Sequence, residues 1–157
     1  MSNITFRLNN KEVSSKKHPS SRLIDVLREE FDYTGVKEGC GEGECGACSV
    51  LINDKLINSC LVPLGNVANQ EVLTIEGLSE TPQGKLLVDC YSVEGAVQCG
   101  FCTPGMLMAS HSLLSENNNP TDLEIKIGLS GNLCRCTGYN MIIKAVKRAA
   151  KEGVGLW

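Results

Sequence analysis

The stretch GCGEGECGACSV, residues 39–50, places Cys40, Cys45 and Cys48 at the spacing C-x4-C-x2-C, and Cys60 follows with eleven residues between. That is the plant-type spacing for the thiolate ligands of a [2Fe-2S] cluster. Four thiolates and two bridging sulfides carry a formal charge of roughly −2 when oxidised, so bare backbone N–H groups must come close to the sulfurs. Gly39, Gly41, Gly43 and Gly46 supply that access, because glycine tolerates positive φ and has no Cβ in the way. Four cysteines can also close around zinc, which stays open at this point. The same residues contain a literal G-x-G-x-x-G at Gly41, Gly43 and Gly46. It does not lead from a first strand into a helix, and a dinucleotide fingerprint requires that context.

A second quartet lies further on: Cys99-x2-Cys102, thirty-one residues, then Cys134-x-Cys136. Thr103-Pro104 reads as a helix start, and a further helix begins around Tyr139, which sets both cysteine pairs at helix N-termini. Such ends carry about half a positive charge and free N–H groups, suited to thiolates and a negative cluster. Buried structural thiols are the alternative for this quartet. The ninth cysteine, Cys90, falls with Leu86, Leu87 and Val93 and reads as a small apolar core residue.

Composition frames these loops. The chain of 157 residues carries 15 Lys plus Arg against 18 Asp plus Glu, a net charge of −3, which argues against nucleic-acid binding. Nine cysteines cannot all pair, and residues 1–15 hold charges and amides where a secretory signal needs an apolar run. The expectation is a reducing, cytoplasmic location, where a cysteine-dense chain binds metal. No apolar run is long enough for direct membrane insertion. Aromatics make up only 4% of the chain, so small modules need another staple, which clusters provide; the iron-free chain is expected to fold poorly.

The pattern divides near Thr81 into residues 1–80 and 81–157. In the first part Ile4 to Leu8 and Glu12 to Ser14 form a hairpin, and Ser20 or Ser21 caps a helix carrying Leu23, Ile24, Leu27 and Phe31. A second hairpin turns at Asn53 to Lys55, and Glu71 to Glu76 gives one more strand. The second part reads as four helices: Gly84 to Glu94; one from Thr103, with Thr as cap; one after the capping-box signature Thr121 to Glu124; and Asn140 to Glu152. His18 reads as solvated and His111 as lying off its helix's apolar face, and no hydrolase, zinc-protease or P-loop motif is present, so no catalytic residue is assigned.

GCGEGECGACSV with Cys60, QCGFCTPGM (residues 98–106) and GNLCRCTGY (residues 131–139) together resemble the small iron-sulfur subunit of the molybdenum hydroxylases, the family of xanthine dehydrogenase, aldehyde oxidoreductase, carbon monoxide dehydrogenase and nicotinate dehydrogenase. The resemblance covers nearly the whole chain. It implies an α+β protein: a plant-ferredoxin-like β-grasp module holding a [2Fe-2S] cluster on Cys40, Cys45, Cys48 and Cys60, then a four-helix module holding another on Cys99, Cys102, Cys134 and Cys136. It also implies partners, a large subunit bearing the molybdopterin-type molybdenum cofactor and a medium subunit bearing FAD, with the helical-module cluster nearest molybdenum and the β-grasp cluster nearest FAD. Gln98 and Cys136 match positions beside the pterin in relatives, and Arg135 is expected to organise the loop or the interface. The chain is then an electron-transfer subunit of an oxidoreductase, with an N-heterocycle such as nicotinate or a purine as the expected substrate of the complex. Two alternatives remain: a free-standing ferredoxin-like carrier and a zinc-stabilised interaction module. With no flavin or molybdenum domain after Trp157, the chain is expected to work in a complex, and the tail Gly153 to Trp157 suits packing on a partner better than on its own surface.

Overall fold

The computed structural model describes residues 3–157. Five strands form one mixed sheet in the order β2-β1-β5-β3-β4: β1 (Ile4–Leu8), β2 (Lys11–Ser15), β3 (Ser49–Ile52), β4 (Lys55–Asn58) and β5 (Glu71–Leu73). The first two strands and the next two are the expected antiparallel hairpins, and β5 enters between them, parallel to β1 and antiparallel to β3. Asn9 and Asn10 have φ of 50° and 66°, and Asn53 and Asp54 of 48° and 64°. Positive φ at both central residues makes type I′ turns, whose twist matches that of the strands.

Helix α1 (Leu23–Glu29) buries Leu23, Ile24, Val26 and Leu27 against Phe6, Leu8, Val50 and Val72 of the sheet. Each such side chain contributes about 1.5–3 kcal/mol when fully buried. The expected serine cap is not used. Arg22 occupies the N-cap without a side-chain cap bond, because the Leu23 N–H already donates to the Val62 carbonyl at 2.8 Å and the Arg22 guanidinium turns to Asp25 and Glu38. Strand β5 also ends earlier than expected. The Thr74 N–H leaves the sheet to donate to Asn9 Oδ1 at 2.9 Å, and a short helix α2 (Ile75–Ser79) follows.

The rest is helical: α3 (Pro82–Val93), α4 (Thr103–Glu116), α5 (Asp122–Gly128) and α6 (Asn140–Glu152). Thr81 caps α3 by accepting the Gly84 N–H at 3.0 Å, which starts that helix two residues before the expected Gly84. Val93, expected on the apolar face, is 66% exposed because α3 ends there. At α4 the N-cap is Cys102, so Thr103 is the first helical residue and not the cap. The capping box at α5 is formed: Thr121 Oγ1 accepts the Glu124 N–H at 3.3 Å and the Glu124 carboxylate accepts the Thr121 N–H at 2.7 Å. Thr121→Ala is expected to lower stability by about 1 kcal/mol. Urea unfolding of the iron-loaded protein checks this, and an unchanged midpoint would count against it.

One apolar cluster lies between α1 and the sheet, and a larger one among α3 to α6. A third, of Leu51 from β3, Leu78 from α2 and Met108 from α4, joins them. The end of the tail lies on the chain's own surface. Trp157 packs on the helical core, its ring centroid 5.3 Å from that of His111, and Gln83 Nε2 donates to the Leu156 carbonyl at 2.8 Å. The ring thus covers His111, which the sequence reading placed off the packed face, and burial lowers that imidazole's pKa. No described helix is long and apolar enough to cross a membrane.

Candidate metal centres

The segment from α1 to β3 is loop. Arg28 Nη1 pins its start by donating to the Thr34 and Val36 carbonyls at 3.0 and 2.7 Å. Gly41, Gly43 and Gly46 then take φ of 72°, 81° and 66°, a left-handed path that a side chain would strain. That curl aims amides inward as expected: the Glu42 and Glu44 N–H groups both donate to Cys40 Sγ at 3.4 Å. The Glu42 amide, with those of Cys45 and Glu44, holds the Cys40 thiol pKa down to about 7. Asn58 Nδ2 donates to the Gly43 carbonyl at 2.7 Å, tying the loop to β4.

The four thiols of this region meet two by two. Cys40 lies within hydrogen-bonding reach of Cys45, and Cys48 of Cys60. Cys48 and Cys60 are 2% and 3% exposed, and burial pushes the Cys48 thiol up to about 12. The helical quartet repeats the arrangement, with Cys102 against Cys134 and Cys99 against Cys136. Cys102, at the N-cap of α4, is likewise raised by burial to about 12. Burial also acts to raise Cys134, but it is outweighed by hydrogen bonds led by Thr137 Oγ1, which donates to its sulfur at 3.1 Å, so Cys134 is lowered overall. Cys99 and Cys136 are exposed, as are Gln98 and Arg135 beside them.

Two neighbouring pairs suit a centre of two metals, each taking two thiolates and completed by bridging sulfides. A single zinc ion needs its ligands gathered about one point. Among the described residues no three His, Cys, Asp or Glu side chains are gathered in that way. The pairing of thiols in each half fits the two-metal arrangement of a [2Fe-2S] cluster. Cys90 stands apart from both quartets, buried at 1% exposure, its thiol pushed up to about 11 by burial.

The sequence reading missed the polar side chains that hold these loops. Tyr139, left-handed at φ 67°, accepts the Cys134 N–H at 2.9 Å on its hydroxyl, and its own N–H donates to Thr137 Oγ1 at 3.2 Å. Asn132 is buried and bonded to the other quartet's loop. The available signal was the density of Asn, Thr and Tyr around Cys134 and Cys136, since such residues hydrogen-bond nearby backbone.

The two quartets are also joined to each other. The Leu133 N–H donates to the Cys45 carbonyl at 2.9 Å, so the residue before Cys134 is bonded to the backbone of Cys45. Phe101, between Cys99 and Cys102 in sequence, reaches over Gly39 of the first loop.

Comparison with known proteins agrees with this geometry. Residues 6–74 match the 2Fe-2S iron-sulfur cluster binding domain family and residues 74–147 the [2Fe-2S] binding domain family. The chain is 48% identical over 149 residues to the nicotinate dehydrogenase small FeS subunit of Eubacterium barkeri, covering 95% of each chain. It superposes on quinoline 2-oxidoreductase from Pseudomonas putida 86 with a TM-score of 0.91 at 39% identity, covering 98% of this chain and 96% of that one. On aldehyde oxidoreductase from Desulfovibrio desulfuricans the TM-score is 0.93 at 36% identity, over 99% of this chain and 17% of that one. The same fold thus occurs both as a separate chain and within a longer one. Since both cluster domains are present and nearly the full length of a small FeS subunit is matched, the chain belongs to the two-[2Fe-2S] iron-sulfur subunits of the molybdenum hydroxylase family.

Proposed function

We propose that this chain carries electrons from a molybdenum centre on a large partner subunit to FAD on a medium partner subunit, in the cytoplasm. In this reading residues 1–80 hold one cluster on Cys40, Cys45, Cys48 and Cys60, and residues 81–157 hold the other on Cys99, Cys102, Cys134 and Cys136. A [2Fe-2S] cluster takes up and gives back one electron at a time, at roughly −400 mV for the plant type, with hydrogen bonds to sulfur and exposure as the tuning terms. Everything else is the work of the chain's own groups. The Glu42 and Glu44 amides and the Thr137 hydroxyl donate to ligand sulfurs and favour added negative charge there.

The observation that carries the reading is the Leu133 to Cys45 hydrogen bond. One residue's backbone and one hydrogen bond connect a ligand of one cluster to a ligand of the other, so no domain movement is needed between them. The outer ends of this bridge differ. Cys99 and Cys136 are exposed, with the exposed apolar side chains Val97, Phe101, Leu133 and Met141 in or beside their loops, as expected of a face that meets another protein. Gln98 and Cys136 are proposed to lie nearest the pterin there. At the other end, Leu61 is 60% exposed beside Cys60 and covers Gly43, marking the edge proposed to face FAD. For the complex's substrate we favour an N-heterocycle, nicotinate or a purine, supported by the identity to a nicotinate dehydrogenase subunit.

Size-exclusion chromatography of the natively expressed protein tests the subunit reading. Brown material eluting with larger chains is expected; elution near 16.9 kDa without partners supports a free-standing carrier instead.

A further inference from the structure

Asn132 is a polar side chain with 4% of its surface exposed, in the loop between α5 and Cys134. Its Nδ2 donates to the Gly46 carbonyl at 2.9 Å and to Ser49 Oγ at 3.2 Å, and Ser49 Oγ donates to the same carbonyl at 2.7 Å. Those acceptors flank Cys45 and Cys48. On the other side the Asn132 carbonyl accepts the Tyr139 hydroxyl at 3.5 Å, the same hydroxyl that takes the Cys134 N–H. One residue is therefore bonded to the loops of both quartets. The space around it is kept clear by missing side chains: a Cβ at Gly46 would collide with the Asn132 amide and the Gly131 carbonyl, and one at Gly105 with the Gly46 carbonyl. Only this close approach lets the Leu133 N–H reach the Cys45 carbonyl.

We propose that Asn132 is the positioning residue that fixes the spacing of the two clusters, and with it the rate at which electrons cross between them. This rests on the two-cluster relay proposed above. Tunnelling falls steeply with distance and with each through-space gap in the path. A seam that opens by a fraction of an ångström stretches the Leu133 to Cys45 hydrogen bond, the one non-covalent link in the bridge. The donor of Asn132 is buried, so the interaction is not diluted by water. Removing the donor does not orphan the Gly46 carbonyl, which keeps the Ser49 hydroxyl, and no thiol is touched. The fold and both clusters are accordingly expected to survive the change while the spacing does not.

The test uses the intact complex with two variants. Asn132→Ala deletes the clamp; Asn132→Leu is of similar size and shape but carries no donor for the Gly46 carbonyl. Iron content and the electron paramagnetic resonance signal of each reduced cluster report loading. The low-temperature spin–spin splitting between the two signals and the rate of inter-cluster transfer report spacing. Expected are full iron and both signals, with the splitting reduced and transfer slowed several-fold in both variants, and near-normal values in Ser49→Ala, which keeps the Asn132 to Gly46 bond. Unchanged splitting and rate in a fully loaded Asn132→Leu protein overturn the proposal. So does iron loss from that variant, which would make Asn132 a determinant of cluster retention and not of spacing. A wild-type complex with fewer than two reduced-cluster signals is a different result and removes the relay reading itself.

Discussion

Replacing Cys136 with serine is expected to cost the complex the cluster of the helical half and, with it, reduction of FAD by substrate, while the molybdenum centre is still reduced. Cys136 is paired with Cys99 at the exposed edge of its quartet, so the change leaves one thiol of that pair alone. A serine hydroxyl is a hard, weakly acidic ligand and a poor replacement for a soft thiolate on an iron-sulfur centre. The other pair, Cys102 with Cys134, is untouched, and so is the whole β-sheet module. Iron is therefore expected to fall from about four to about two per chain, with one of two reduced-cluster signals lost. Rapid mixing with substrate gives the functional result. Molybdenum reduction persisting while FAD stays oxidised supports the proposed order of centres; FAD reduced at the normal rate contradicts it.

Removal of iron from the whole chain is expected to have the larger structural effect, abolishing cooperative unfolding. The proposed ligands are not appended to a finished core. Cys48 and Cys60 belong to the apolar cluster under α1, and Cys134 to the one among α3 to α6. The loop from Gly39 to Gly46 has no helix or strand of its own and is held by a few hydrogen bonds. For comparison, structural zinc in zinc-finger peptides contributes about 10–16 kcal/mol, which equals or exceeds the roughly 5–15 kcal/mol by which whole domains are stable. On that scale, two metal sites lost from one chain leave no margin. Thermal unfolding of the loaded and the chelated, reduced protein makes the comparison: a sharp transition for the first and a broad one or none for the second are expected. Equal sharp transitions at one temperature would show that the clusters are guests in a prefolded chain.

Much of this was legible in the sequence because glycine, cysteine and capping residues act locally. The glycines between the cysteines of the first loop, the Asn-Asn and Asn-Asp turns and the Thr121 capping box each fix a few dihedrals by themselves, and each appears where expected. The misreadings share another cause, which is tertiary competition for a backbone or side-chain partner. Arg22 displaces a serine cap because Val62 already satisfies the helix's first amide. β5 ends at Leu73 because Asn9, sixty-five residues away, takes the Thr74 N–H. Trp157 turns inward because α4 offers its ring His111 and Gln83 of α3 holds the Leu156 carbonyl before it, partners that no pattern within the last five residues reveals. The joint between the quartets was hidden for the same reason. Asn132 and Leu133 meet Gly46 and Cys45 across more than eighty residues, and only Gly46 and Gly105, by lacking side chains, leave a mark of that contact in the sequence.

The central claim is that eight thiolates, four in each half, hold two [2Fe-2S] clusters. Iron and acid-labile sulfide analysis of natively expressed, anaerobically isolated protein, with electron paramagnetic resonance after dithionite, tests it most directly. About four iron and four sulfide per chain with two distinguishable reduced-cluster signals are expected. Colourless protein containing zinc, or iron without sulfide and a silent reduced spectrum, would contradict it.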